Sequence, residues 1–121
     1  MIQRLTITGR LPGLNDMLLS RGRGHYAWNA KKKRLEEEIM WEIKRDRIRP
    51  VARARFSFHF FERDRRRDPD NVDAVAKKVI FDAMVKAGVL QNDGWDQIAG
   101  IRLEYAVDKD NPRIEVYIEE V

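Results

Sequence analysis

Cysteine is absent from this 121-residue sequence, which removes disulfides and thiolate metal sites and suits a reducing compartment. Long apolar runs are missing as well. The opening MIQRLTITGRLPG alternates and no later segment has the length needed to cross a bilayer, so the chain is expected to be neither secreted nor membrane-spanning, with cytoplasmic residence. Histidine occurs only twice. His25 lies in a glycine-rich stretch and His59 on the polar side of an alternating one, so imidazole catalysis is not expected. Repeats, linkers and low-complexity tracts are lacking, which leaves one expected domain over residues 1–121, large enough for a hydrophobic core.

Charge, by contrast, is abundant. Apolar residues make up 43% and charged residues 36%, the balance of a globular domain with a heavily charged surface. The net charge of +4 arises from 24 basic against 20 acidic residues, and the basic ones cluster. Arg21 and Arg23 flank Gly22, Lys31 to Arg34 form a run, and Arg63, Arg65, Arg66 and Arg67 make a third group. Cations so grouped suit a polyanion, because each neutralised phosphate releases condensed counterions. The KKKR run also reads as a solvated helix face, offset through neighbouring turns by Glu36, Glu37 and Glu38. The arginine group has no equally simple alternative.

Alternation over Ile2–Thr8, with Leu5 and Ile7 on one face, predicts a first strand ended by Gly9, Pro12 and Gly13. Residues 11–26, rich in glycine and carrying Asn15, Asp16 and Ser20, are expected to form a long ordered loop. Trp28, Leu35, Ile39 and Ile43 fall near helical spacing, with Asn29 as cap, and predict an amphipathic helix over about 29–47. Residues 52–61 place Ala52, Ala54, Phe56, Phe58 and Phe60 on one face of a second strand. Asp68-Pro69 opens a second helix whose stripe of Val72, Val75, Val79 and Met84 runs to Gly88. Two more strands are expected at about 98–107, with Ile101, Leu103, Tyr105 and Val107 on one face, and at 113–119. The fold class is α+β, ordered strand-helix-strand-helix-strand-strand, with a mixed sheet and helices packed on one face.

The segment RDRRRDPDN at 63–71 sets two carboxylates two residues apart where a strand ends and a helix begins. Magnesium takes an octahedron of oxygens and is usually held by one or two carboxylates together with waters and phosphate oxygens. With Asp68 as cap and Asp70 in the first turn, both side chains can point past the helix N-terminus, where the dipole favours negative charge and an approaching phosphate. The same pair also reads as an ordinary helix start. A third carboxylate, Asp93 in VLQNDGW, follows the helix, with Asp96 as its close rival. Asp64 and Asp82 read as a surface charge and a helix-surface acid.

The stretch RDRRRDPDNVDAVAKKVIFDAMVKAGVLQND resembles the central motif of the RusA family of Holliday-junction resolvases, many of them encoded by prophages. Asp68, Pro69, Asp70 and Asn71 match its first part; Phe81-Asp82-Ala83-Met84, Lys86-Ala87-Gly88 and Asn92-Asp93 match the rest. Pro12 and Asn15 in GRLPGLNDM bring the N-terminus into the likeness, which covers nearly the whole chain. The resemblance implies a homodimer that binds a four-way DNA junction and nicks two opposed strands symmetrically.

It further implies an acidic triad of Asp68, Asp70 and Asp93 binding one or two magnesium ions, with manganese able to substitute and no organic cofactor. The family's functional lysine lies one turn past the second aspartate, whereas Lys78, which keeps the spacing to Phe81-Asp82, lies two turns past Asp70. Lys77 or an arginine is then an alternative for its role. The expected DNA contacts are Arg65, Arg66, Arg67, Arg21, Arg23, Lys77 and Asn15. Two rival readings stand beside this one: a branched-DNA-binding module without catalysis, and a metal nuclease acting on other branched DNA or on RNA. Trp28, Trp41, Trp95 and Phe61 read as core or interface rather than as stacking groups.

Overall fold

The computed structural model describes the backbone of residues 1–21 and 25–121, and the side chains of all but residues 20–26. Its elements are β1 (Ile2–Thr8), α1 (Leu14–Arg21), α2 (His25–Arg45), β2 (Ala54–Glu62), α3 (Pro69–Lys86), β3 (Ile98–Val107) and β4 (Arg113–Glu120). The mixed sheet runs β1-β4-β2-β3, antiparallel except where β2 meets β3. The α+β class and the order of strands and long helices are as the sequence predicts. Among the described residues no helix is long and apolar enough to cross a membrane.

Alternation in β2 buries Ala54, Phe56, Phe58 and Phe60 on one face, where α3 lays Val72, Val75, Ala76, Val79, Ile80, Ala83 and Met84 against them. Phe81 meets Phe56 and Phe58 edge-on, with centroids 5.1 and 5.4 Å away, which fixes the helix over the middle of the sheet. Gly88, at φ +79, takes the left-handed position that closes α3, with Val89 N–H donating back to Met84 O. Arg47 ends α2 the same way at φ +55, with Ile48 N–H donating to Ile43 O.

Four expectations change. The loop expected over 11–26 contains α1, and α2 begins at His25, so Asn29 lies within the helix instead of capping it. β2 begins at Ala54, which leaves Ala52 exposed before it. Within the KKKR–EEE segment, the ion pairs found among the described residues cross to α3: Lys32 to Asp82 at 2.6 Å, and Lys86 to buried Glu36 at 2.9 Å. The face of β3 carrying Ile101, Tyr105 and Val107 is largely exposed, because β3 is an edge strand that α3 covers only in part.

Candidate active site

The parallel crossover decides which side chains meet. α3 leaves from the C-terminal end of β2 and returns the chain to the N-terminal end of β3, so its first turn stands at the C-terminal ends of both strands. In open sheets with parallel strands, ligands settle in the crevice at that end. Asp68 is the N-cap, at φ −68 and ψ 154; its side chain makes no capping bond, and Pro69 follows in the first turn. Asp70 also lies in the first turn and accepts the N–H of Asn71 at 3.0 Å. Both carboxylates are exposed, and neither forms an ion pair among the described residues; of the nearby arginines, Arg66 turns to Asp64 and Arg67 to Glu62.

One turn along, Asp73 is buried, accepts a hydrogen bond from the Tyr105 hydroxyl of β3, and forms an ion pair with Lys77 Nζ at 3.5 Å. Burial raises the Tyr105 phenol above its ordinary range, and its bond to Asp73 and the charges of Asp73 and Asp70 raise it further. Tyr105 therefore stays protonated and donating. Lys77, expected to face DNA, is turned inward to Asp73.

Asp93 sits on the loop before β3, at the opposite end of the strands. Its Oδ2 lies 3.2 Å from Lys78 Nζ, which also reaches Asp82 Oδ1 at 3.1 Å. Lys78 follows Asp70 by eight residues, roughly 12 Å along the helix axis. Its ammonium is held above its usual range by the bond to Asp82 and then by that to Asp93. The structure thus brings Asp68 and Asp70 together and seats Asp93 on Lys78. Among the described residues no three carboxylates or histidines stand close enough to share a cation. Asp96 is exposed on the same loop. Asp82 is more than a surface acid: burial pushes its carboxyl up, but Lys32 and Lys78 outweigh that and hold it below the usual carboxylate range.

The arginine group divides. Arg65 and Arg66 are exposed, as a phosphate contact requires. Arg67 is instead an internal clasp, its Nε and Nη2 donating to the two oxygens of buried Glu62 at 2.9 Å each and its Nη1 to the Leu11 carbonyl at 3.0 Å. Gly13 is pressed against the same knot; a Cβ there would lie 2.5 Å from Asn71 Oδ1 and 3.0 Å from Arg67 Nη1. Asn71 Oδ1 in turn accepts the Asn15 N–H at 3.0 Å, so the Asp-Pro-Asp-Asn segment holds the start of α1. The Asn15 side chain is exposed. Arg23 and the side chains of Arg21 and His25 lie outside the described residues. His59 Nδ1 lies 3.5 Å from Glu104 on the open sheet face, away from the carboxylates.

Sequence reasoning passed over Asp73, Tyr105, Glu62 and the capping role of Asn71. Asp73 carried a signal: an acid inside an apolar stripe, three residues after Asp70 and four before Lys77.

Residues 15–119 match the family described as Endodeoxyribonuclease RusA. Among curated proteins none matches the chain.

Proposed function

The chain belongs to the RusA family of endodeoxyribonucleases, which hydrolyse phosphodiester bonds at Holliday junctions, and from that premise we propose a magnesium-dependent resolvase making paired, symmetric nicks in four-way junctions. The family is metal-dependent, and the donor set here fits a hard cation. Asp68 and Asp70 offer carboxylate oxygens without a basic partner among the described residues at a helix start, and waters and phosphate oxygens can complete an octahedron. That free pair is the observation that carries the proposal. Asp68 and Asp70 would hold the magnesium, which would supply there an activated water and polarisation of the scissile phosphate.

The remaining steps belong to the chain's own residues. Arg65 and Arg66 hold the junction backbone at the mouth of the site, and the α3 N-terminus favours the bound phosphate. Asp73 and Tyr105 position the first turn of α3 from behind, so that Asp70 keeps its direction. Lys78, held among the described residues only by exposed contacts to Asp82 and Asp93, offers positive charge to the phosphate. Paired cuts need two sites, which a two-fold dimer supplies.

The test is cleavage of a labelled mobile junction in magnesium, with calcium as the non-supporting ion and Asp70→Asn alongside. Paired nicks from the wild type alone, with junction binding kept by the variant, are expected. Cleavage by Asp70→Asn at the wild-type rate would refute the metal assignment. Binding without nicking by the wild type would point to a non-catalytic module, and equal cutting of flaps or RNA to a broader nuclease.

A further inference from the structure

The sheet has two edges, and they are treated differently. Along β1 the outward backbone groups are met by the end of α2 and the turn after it: Thr6 N–H donates to Asp46 at 2.8 Å, Thr8 N–H donates to Glu42 at 2.9 Å, and the Thr6 carbonyl accepts from Arg45 at 2.6 Å. Along β3, ten residues long, nothing among the described residues covers the outer edge. Edge strands this long are normally shielded, because their unpaired N–H and C=O groups recruit another strand. The strand is also apolar on its helix-side face, with Ile101, Tyr105 and Val107 exposed by 47, 41 and 48%, and Trp95 beside it by 96%. On the other face, Arg102 has no ion pair among the described residues, and exposed Glu104 reaches only His59.

We propose that two copies of this chain join antiparallel along β3, with the two-fold axis at Leu103. This choice of axis is read from the side chains. It sets Arg102 of one copy opposite Glu104 of the other, twice by symmetry, and Ile101 opposite Tyr105 around a central Leu103 pair. Moving the axis by one residue either way sets Arg102 against Arg102, or Glu104 against Glu104. An antiparallel two-fold of this kind keeps both helix layers on one side of a continuous eight-stranded sheet. The two Tyr105 side chains, each bonded to its own Asp73, then stand about 14 Å apart along the strand direction. Both acidic sites would open on one face, as two nicks in one junction need. This deepens the resolvase proposal by saying how its two sites are paired.

The absence of cysteine makes the test clean. In Leu103→Cys the two thiols face each other across an antiparallel pair, within disulfide reach, whereas in Ile101→Cys they stand about 14 Å apart along the strand direction. The wild type is expected to sediment at twice the chain mass, and mild oxidation is expected to cross-link Leu103→Cys and spare Ile101→Cys. Arg102→Glu should weaken self-association roughly ten- to a hundredfold, and adding Glu104→Arg should restore it. A monomeric wild type, or a dimer whose two cysteine variants cross-link equally or not at all, would overturn the interface. None of these readings uses DNA or metal. Failure of the interface therefore shows in an enzyme that still cuts junctions, and failure of the resolvase reading shows in a cross-linked dimer that does not.

Discussion

Replacing Arg67 by glutamine should unfold the protein more readily, whereas the same change at Arg65 or Arg66 should weaken its hold on DNA. Arg67 and Glu62 form a two-pronged pair at 2.9 Å, with side chains only 15 and 10% exposed, and the third guanidinium arm holds the Leu11 carbonyl. Removing one partner of a buried pair costs about 3–5 kcal/mol, and the residual exposure here lowers that to about 2–4 kcal/mol. Among the described residues Glu62 would keep only Arg10, at 3.4 Å. For a domain of this size the loss corresponds to a fall in melting temperature of roughly 10 °C. Arg65→Gln and Arg66→Gln should stay within about 0.5 kcal/mol of the wild type. Each should instead flatten the dependence of log affinity on log salt by about 0.9 for every phosphate left without its cation. Thermal melts and junction binding titrated over salt read both quantities. An Arg67→Gln protein that melts with the wild type and binds with a flatter salt slope would refute the division.

Two further outcomes follow from the same geometry. Arg47 adopts the left-handed conformation at the end of α2, where its exposed side chain gains nothing, so Arg47→Gly should raise stability by about 0.5–1 kcal/mol in urea titrations. Asp82 is held below its ordinary value of 3.8 by Lys32 and Lys78, so its contribution to stability is full above that pH and is lost as pH falls through the folded-state value. Asp82→Asn should therefore lower stability at neutral pH and flatten the curve on the acid side, as acid-unfolding profiles would record; unchanged profiles would show that the two lysines do not act on Asp82.

The elements most legible in the sequence were those whose burial is decided locally. β2 alternates because one face meets α3 and the other meets solvent, and α3 shows both its start at Asp68-Pro69 and its end at Gly88. α1 was hidden because part of its start is held from afar: the Asn15 N–H is satisfied by Asn71, 56 positions away. The alternation of β3 was equally plain, yet its exposure was not, since alternation says which residues share a face and topology says what covers it. Arg67 was misread for a related reason. Four arginines within five residues look like one surface, but the last of them leaves the strand end beside buried Glu62 and is drawn inward.

The distance between the acids has the same origin. A helix that crosses between parallel strands must carry the chain from one end of the sheet to the other, so a carboxylate after it cannot start where one before it stands. Asp93 reaches toward the helix start only as far as Lys78, and the added turn between Asp70 and Lys78 lengthens the gap. The contact that holds it there is weak, because Lys78 is 63% exposed and shared with Asp82. An exposed pair of this kind is worth about 0–1 kcal/mol, less than a single good bond to a phosphate contributes. A phosphate arriving at the α3 N-terminus can therefore draw the ammonium away from Asp93 at little cost, leaving that carboxylate free when substrate is bound.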